Sequence, residues 1–329
     1  MSISNVGRRF ILNSGPRTIF TKQLSTQIKA PAASKENQKC TLPDGRTLGF
    51  AEYGSPTGEP VFLFHGLPGS RLEGREWEQI GRKLGARIIA TDRPGMGLSS
   101  FKPDRNLLDW PADVKYLAQH LNLDHYRVVG GSGGGPFAVA CAKMLPKKNL
   151  HAVGILAGVG PWKYLGGKGM RWKGRIAFSM LAYTPWVTKW VVNSQLVPAA
   201  HHSDPQVFKN LMQTWKDDLN EKDRTVFQDS RTWDDTVDVM RECFRIGSEG
   251  YLQDGRIMTA DWGFELEEVP FEGVKLWWGT DDEHTPVRMG RFMASHLKNA
   301  KLKEFPGATH MTVFFLHREE ILRDLLRSD

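Results

Sequence analysis

The stretch that most constrains the fold is the run GGSGG at residues 130–134. An apolar segment typical of a buried strand precedes it at residues 126–129, and a helix-like segment follows at residues 136–144. A serine held where strand and helix backbones approach closely needs neighbours without side chains, a need that glycine meets. The pattern therefore predicts a sharp strand-to-helix turn that exposes the hydroxyl of Ser132. Because 33 glycines can produce such a pattern by chance, its sequence context decides its meaning.

Strand-like and helix-like segments alternate on both sides of this run, beginning with a hairpin pattern at residues 38–53. The other predicted strands lie at residues 60–64, 87–91, 127–129, 152–156, 275–278 and 302–305, and those at 60–64 and 152–156 are short continuous apolar segments. The predicted helices lie at residues 73–84, 110–121, 136–144, 287–297 and 313–326, the second of them capped by Asp109. This alternation predicts an α/β fold with a doubly wound, mostly parallel sheet.

Between residues 158 and 262 the alternation stops and the pattern becomes helical. An insertion of about 100 residues between two strands is too long for a loop. It predicts a helical cap domain at residues 158–262 over the carboxyl edge of a core formed by residues 38–157 and 263–329. Most of the tryptophans in the insertion are expected in the core of the cap, and a few in a pocket.

The formal net charge of +7 comes mainly from the first 35 residues, which hold six Lys and Arg and no acid. The remainder carries 38 basic against 37 acidic residues, which argues against a nucleic-acid partner. A basic, hydroxyl-rich, acid-free N-terminus is typical of a mitochondrial transit peptide, so residues 1–35 predict a mitochondrial protein. The alternative is a disordered basic tail on an otherwise cytoplasmic protein.

Several other classes of site find no support in the sequence. The most apolar stretch, residues 176–192, contains Pro185 and Lys189 and is shorter than the roughly 20 residues that a transmembrane helix needs. No phosphate-binding or dinucleotide-binding glycine motif occurs, so no cofactor is predicted. The three cysteines, Cys40, Cys141 and Cys243, lack the spacing of a zinc site or disulfide framework. His201 and His202 are interpreted as surface or cap residues, and His284 as an exposed residue.

A nucleophilic serine requires a base, an acid that orients the base, and hydrogen-bond donors for the oxyanion. His310 follows the predicted strand at residues 302–305 and is the candidate base. The adjacent Asp281 and Asp282 follow the strand at residues 275–278 and are candidate acids. Since loops after parallel strands meet at one edge of a sheet, we expect these groups to lie near Ser132.

From about residue 38 to residue 326 the chain resembles the α/β hydrolases. HGLPGSR at residues 65–71 is similar to the oxyanion loop of that family, and DRPGMGLS at residues 92–99 resembles its loop after the next strand. The order of serine, acid and histidine is also similar. The resemblance implies an α/β hydrolase fold with a catalytic triad whose acid is Asp282 rather than Asp281. It further implies that the backbone amides of Leu67 and Gly133 bind the oxyanion and that His65 is structural.

The implied function is a serine hydrolase that acts by acyl transfer on a small-molecule ester, thioester or amide, without a cofactor. One alternative is a peptidase similar to the proline iminopeptidases, which typically have HGGPG where this chain has Leu67. Another is a non-catalytic ligand-binding protein of the same fold. Relatives that open epoxides or remove halides need an aspartate at the position of Ser132, so the serine argues against both activities. The acyl group, the leaving group and the oligomeric state are left open by the sequence.

Overall fold

An eight-stranded sheet is the centre of residues 35–327, the part of the chain that the computed structural model describes. Its strands are β1 (Gln38–Thr41), β2 (Thr47–Gly54), β3 (Glu59–Phe64), β4 (Ala86–Thr91), β5 (Tyr126–Gly131), β6 (Leu150–Leu156), β7 (Lys275–Gly279) and β8 (Lys301–Phe305). Their spatial order is β1-β2-β4-β3-β5-β6-β7-β8. The six strands from β3 to β8 run parallel, and the β1–β2 hairpin adds antiparallel pairing at one edge. The predicted α/β fold class with a mostly parallel sheet is confirmed.

The helices fall into three groups along the chain. The first group consists of α1 (Glu78–Leu84), α2 (Trp110–His120) and α3 (Gly135–Met144). Between β6 and β7 lie the inserted helices α4 (Trp162–Leu165), α5 (Trp172–Tyr183), α6 (Pro185–Val191), α7 (Val197–His201), α8 (Pro205–Asp217), α9 (Glu221–Val226), α10 (Ser230–Cys243) and α11 (Glu249–Thr259). The last group is α12 (Val287–His296), α13 (His310–Leu316) and α14 (Arg318–Leu326).

Three helix boundaries differ from the sequence prediction. The helix expected at residues 73–84 begins as a 3₁₀ helix, Arg71–Trp77, and becomes the α-helix α1 only at Glu78. Asp109 does not cap α2; its carboxylate instead accepts a hydrogen bond from the Asn106 amide and completes a capping box on the preceding 3₁₀ turn. The single helix expected at residues 313–326 is interrupted at His317, whose ring stacks on Phe305 with 4.0 Å between ring centroids.

Both faces of the sheet are buried, and β3 shows why its sequence is apolar at consecutive positions. Val61 and Leu63 belong to the hydrophobic cluster on one face, whereas Phe62 and Phe64 belong to the cluster on the other. Phe64 packs edge-to-face against Trp110 of α2, with ring centroids 5.4 Å apart. Alternate side chains of a strand point to opposite faces, so a strand covered by helices on both sides needs apolar residues throughout.

The inserted helices have a hydrophobic cluster of their own, which includes Phe208, Trp233 and Phe244. Of the seven tryptophans in the segment, Trp215 and Trp233 pack in this cluster, whereas Trp262 belongs to a cluster of the sheet and Trp162 is buried elsewhere. The expectation that most of them lie in the core of the cap is therefore wrong. The exposed tryptophans are Trp172, Trp186 and Trp190. The division into a core and a cap domain stays a prediction.

The remaining sequence expectations concern cysteines, histidines, membrane spans and the N-terminus. Cys40, Cys141 and Cys243 are buried and unpaired, and His201 and His202 are exposed. Among the helices of residues 35–327, none combines the length and apolarity needed to span a bilayer. Nearly all of the predicted transit peptide, residues 1–34, lies outside the described residues.

Four loops at the carboxyl edge of the parallel strands carry the residues that the sequence singled out. His65 follows β3, Ser132 follows β5, Asp282 is the third residue after β7, and His310 begins the helix after β8. The strands β3 and β5 are neighbours, as are β7 and β8, with β6 between the two pairs. The fold therefore brings the four loops to one edge, where sites in open parallel sheets form.

Candidate active site

Ser132 occupies a strained turn between β5 and α3. Its φ of 49° lies in the left-handed region that residues other than glycine rarely adopt. The glycines around it are required by close backbone contacts: a Cβ on Gly130 would lie 2.2 Å from the carbonyl oxygen of Gly134. A Cβ on Gly134 would lie 2.1 Å from the carbonyl oxygen of Phe64. The sharp strand-to-helix turn predicted for this stretch is therefore present, and its glycines meet the predicted steric need.

A cavity of about 640 Å³ lies at this turn, and Ser132 and His310 both line it. Apolar side chains from the sheet loops and the inserted helices form most of its wall, including Leu67, Met170, Phe178, Leu181, Met212, Trp215, Met240, Tyr251, Met311, Phe314 and Phe315. Ser132 and His310 are not hydrogen-bonded to each other within residues 35–327, although catalytic hydrogen bonds often tighten only when substrate binds. The cavity can hold a small molecule with a substantial apolar portion.

His310 is oriented by Asp282. The Nδ1 atom of His310 lies 2.7 Å from Oδ2 of Asp282, and both side chains are buried. Burial alone would lower the pKa of His310, but the charge and hydrogen bond of Asp282 raise it above its ordinary value. This arrangement leaves Nε2 of His310 as the ring nitrogen that can accept a proton.

The structure separates the two adjacent aspartates. Asp282 accepts further hydrogen bonds from the backbone amides of His284 and Thr285, both at 2.8 Å, which fix its carboxylate beneath His310. Asp281 is exposed and pairs with Lys222 at 2.9 Å. Only Asp282 is brought to the histidine.

Leu67 and Gly133, the predicted oxyanion donors, lie next to each other. A Cβ placed on Gly133 would lie 3.2 Å from the backbone nitrogen of Leu67. The Leu67 amide has no acceptor among the described residues. The Leu67 amide is therefore available to an acceptor bound in the cavity that Leu67 and Ser132 both line.

A buried network that the sequence did not reveal holds the loop after β3. The Arg93 guanidinium donates to the carbonyl oxygens of His65 and Gly66, the latter at 2.9 Å, and its Nε donates to Asp254 of α11. Asp254 also accepts a hydrogen bond from Arg105. Burial and the nearby Arg93 charge hold the pKa of His65 well below its ordinary value, so His65 is a neutral structural residue. The loop that carries Leu67 is thus tied to an inserted helix.

Glu73 is a second residue that sequence reasoning missed. Its Oε2 accepts a hydrogen bond of 2.9 Å from the Gly66 amide, while the buried Oε1 has no partner among the described residues. Burial raises the pKa of its carboxyl group to about 7. Glu73 lines the cavity, so a titratable carboxyl group stands close to Ser132. Its position two residues after the HGLPGSR motif was the only signal in the sequence.

His284 and Asp223 also lie close to His310. The interpretation of His284 as an exposed residue is wrong, because its side chain is 28% exposed, lines the cavity and lies 5.1 Å from the His310 ring by centroids. Burial and the neighbouring His310 lower the pKa of His284 to about 4. Asp223, from the inserted helix α9, accepts hydrogen bonds from the Thr309 hydroxyl and from the Met311 amide, the second at 2.9 Å. No motif in the sequence marks Asp223.

The sequence of residues 61–324 matches the model of a family described as the alpha/beta hydrolase family. Proline iminopeptidase of Xanthomonas citri is 36% identical over 104 residues, which are 30% of this chain and 32% of that protein. Lipase 1 of Psychrobacter immobilis is 30% identical over 155 residues, 44% of this chain and 45% of that protein. The chain thus spans about a third of the length of the first relative and less than half of the second.

Solved structures resemble the chain over most of its length. The crystal structure of the enol-lactonase from Burkholderia xenovorans LB400 has a TM-score of 0.62 and 18% sequence identity. The match covers 88% of this chain and 99% of that one. At this level of identity the likeness concerns the fold.

Proposed function

The chain belongs to the alpha/beta hydrolase family, and on that premise we propose that it is a serine hydrolase that cleaves an ester, thioester or amide through Ser132, His310 and Asp282. The observation that carries the proposal is the hydrogen bond of 2.7 Å between His310 and Asp282 beside a cavity that Ser132 also lines. A serine in a strained turn, a base and an orienting acid are the parts that nucleophilic acyl transfer needs.

In the proposed reaction, Nε2 of His310 removes the proton of Ser132 as its Oγ attacks the substrate carbonyl. Asp282 accepts the Nδ1–H of His310 and stabilises the imidazolium that forms. The amides of Leu67 and Gly133 donate to the negative oxygen of the tetrahedral intermediate. His310 then protonates the leaving group, and water, activated by the same histidine, releases the acid from the acyl-enzyme.

The cavity wall supports a substrate with an apolar acyl portion. Apolar side chains of the inserted helices, such as Phe178, Met212 and Trp215, form much of the lining. We therefore propose that these helices act as a cap that selects the acyl group. Most acids in the lining are already paired: Glu76 with Arg318 at 2.6 Å, Asp218 with Lys173 at 2.7 Å.

A fluorophosphonate probe, which reacts with activated serines, tests the nucleophile directly. We expect wild type to be labelled and Ser132→Ala to lose both labelling and turnover of short-chain p-nitrophenyl esters. The matched control is Ser194→Ala, which removes an exposed hydroxyl of the inserted segment and should be labelled like wild type. Undiminished labelling of Ser132→Ala would overturn the assignment. If wild type binds these esters but turns over none of them, a non-catalytic binding protein would be favoured instead.

A peptidase is the second candidate, because the cavity also contains an unpaired acid. The Oε1 atom of Glu73 has no partner among the described residues, so it is available to a substrate ammonium group. Proline iminopeptidase is the name of one relative of the chain. The two candidates are separated by comparing an amino-acid ester with the same ester acylated on nitrogen. A peptidase should prefer the free amine and lose that preference in Glu73→Gln, whereas an esterase for apolar acyl groups should prefer the blocked ester.

Residues 1–35 are proposed to direct the protein to mitochondria, on the basis of their basic, acid-free composition. Fusion of these residues to a fluorescent reporter tests the proposal. Co-localisation with a mitochondrial dye is expected, and a reporter spread through the cytosol would contradict it.

A further inference from the structure

Two inserted helices, α5 and α6, expose large apolar side chains to solvent. We define the aromatic stripe as Trp172, Ile176, Tyr183, Trp186 and Trp190, whose exposed fractions range from 49% to 74%. At about 100° per residue, the three members on α5 lie within about 40° of one another around the helix axis. Trp186 and Trp190 are four residues apart on α6, so they also share a face. Because α5 and α6 pack against each other, the two sets lie on adjacent helices, and large exposed apolar surfaces mark interaction sites.

The opposite face of α5 is apolar as well. Ala177, Phe178 and Leu181 line the cavity, and Gly255 of α11 packs against Leu181. The helix therefore separates the apolar cavity from the aromatic stripe. A helix that is apolar on two faces needs a second apolar environment besides the protein core.

The segment that carries the aromatic stripe is rich in basic residues, four of which pair with acids from later in the chain. Residues 159–203 contain six Lys and Arg and no Asp or Glu. On α5, Lys173 and Arg175 project about 80° to either side of the stripe by the helical repeat. Lys173 pairs with Asp218, and Lys189 pairs with Glu249 at 3.2 Å. Lys168 and Arg175 are exposed and have no acidic partner within residues 35–327.

We propose that the aromatic stripe docks the protein on an anionic lipid surface. Tryptophan and tyrosine are the residues that favour the boundary between lipid headgroups and acyl chains, and flanking Lys and Arg are attracted to anionic headgroups. A second copy of the chain is a poorer occupant, because a symmetric interface would bring the same basic residues together.

The test is co-sedimentation of the full-length protein with sucrose-loaded phosphatidylcholine vesicles, with and without phosphatidylserine. Wild type should bind the phosphatidylserine vesicles, and added salt should weaken the binding. The double variant W186A/W190A should bind at least about tenfold more weakly, because it removes most of the inserting apolar area on α6. K168Q/R175Q should lower the preference for phosphatidylserine by roughly fivefold per charge.

The matched control is I246A/L316A, which truncates two exposed apolar side chains elsewhere, at 51% and 69% exposure. Its vesicle binding should equal that of wild type. All variants keep residues 1–34, so any contribution of that basic segment to binding is constant. Thermal unfolding establishes that each variant is folded, and turnover of a soluble ester confirms this for the variants that keep Ser132. Ser132→Ala should bind vesicles like wild type, which separates this proposal from the proposed chemistry.

Three outcomes would overturn the proposal. The first is that wild type does not bind phosphatidylserine vesicles. The second is that W186A/W190A binds them as well as wild type, whether or not its melting temperature falls. The third is concentration-dependent self-association of wild type that W186A/W190A abolishes without any change in vesicle binding, which would assign the aromatic stripe to a second copy.

Discussion

At the scale of single residues, two adjacent aspartates have different environments because of the turn after β7. Asp282 is buried beneath His310 and accepts hydrogen bonds from two backbone amides, whereas Asp281 is exposed and pairs with Lys222. A buried carboxylate that raises the pKa of a histidine affects both the tautomer and the basicity of that ring. An exposed ion pair contributes little to stability or chemistry.

The first prediction compares Asp282→Asn with Asp281→Asn. Asp282→Asn should lower kcat about 1,000- to 10,000-fold, because the amide cannot stabilise the imidazolium and favours the wrong tautomer. Asp281→Asn should keep kcat within about twofold of wild type, since it changes only an exposed pair. Steady-state kinetics on a p-nitrophenyl ester measure both. Equal losses in the two variants would remove Asp282 from the proposed triad.

Glu73 makes the site sensitive to pH. Burial raises the pKa of its carboxyl group from 4.5 to about 7. Between these two pH values the unfolded chain has lost the proton that the folded chain retains. Stability linked to this group is therefore complete below about pH 4.5 and is lost as the pH rises through about 7. Ionised Glu73 also contributes to the raised pKa of His310.

The second prediction follows from Glu73→Gln. The melting temperature of wild type should fall relative to that of Glu73→Gln as the pH rises from 4.5 to 7, because glutamine does not ionise. The acid limb of the pH profile of kcat/KM reports the pKa of His310. It should move to lower pH in this variant, because the charge of Glu73 no longer raises that pKa. Glu76→Gln, which alters a neighbouring carboxylate paired with Arg318, should leave the acid limb in place. An acid limb unmoved in Glu73→Gln would contradict the coupling to His310.

At the scale of elements, the inserted helix α9 supports the start of α13. Asp223 accepts hydrogen bonds from the Thr309 hydroxyl and the Met311 amide, on either side of His310. Lys222 of the same helix donates to the carbonyl oxygen of Gly307 at 2.8 Å. A helix far from α13 in sequence thus holds the residues on both sides of His310, so the inserted helices support the candidate site as well as line its cavity.

The third prediction is that Asp223→Ala will weaken both stability and turnover. It leaves a buried amide and a buried hydroxyl without their acceptor, which should cost about 1–3 kcal/mol of unfolding free energy. We expect kcat to fall more than KM rises, because the base is displaced while the cavity wall persists. Asp234→Ala, which breaks an exposed pair with Lys209, should change stability by less than about 1 kcal/mol. Urea unfolding and kinetics well below the melting temperature check both effects.

The sequence could predict the elements and motifs that depend on local pattern. The turn at Ser132 was predictable because its glycines and flanking segments are contiguous, and β1 to β8 appear close to their predicted positions. The role of Asp223 could not be predicted, because it depends on a contact with Thr309, 86 residues away along the chain. His284 was misinterpreted because its burial depends on how the inserted helices pack against the loop after β7. Long-range packing leaves no mark in the local sequence.

At the scale of the whole molecule, a buried charge cluster connects the inserted helices to the sheet. Asp254 of α11 accepts hydrogen bonds from Arg93 and Arg105, and all three side chains are almost completely buried. Arg93 also lies over the Phe137 ring of α3, 4.6 Å from its centroid. Because Arg93 donates to the carbonyl oxygens of His65 and Gly66, the same cluster joins the inserted helices, the sheet and the candidate site.

The fourth prediction separates the stability of this cluster from its role at the site. Asp254→Ala leaves two buried guanidinium groups without their carboxylate and should cost about 3–5 kcal/mol. The triple variant R93M/D254M/R105M removes all three charges and should regain most of that loss, because well-packed apolar residues can replace a buried ion cluster. Turnover should stay low in the triple variant, since the carbonyl oxygens of His65 and Gly66 lose their donor. Urea unfolding alongside ester kinetics tests this, and full recovery of both properties would show that Arg93 does not position the oxyanion loop.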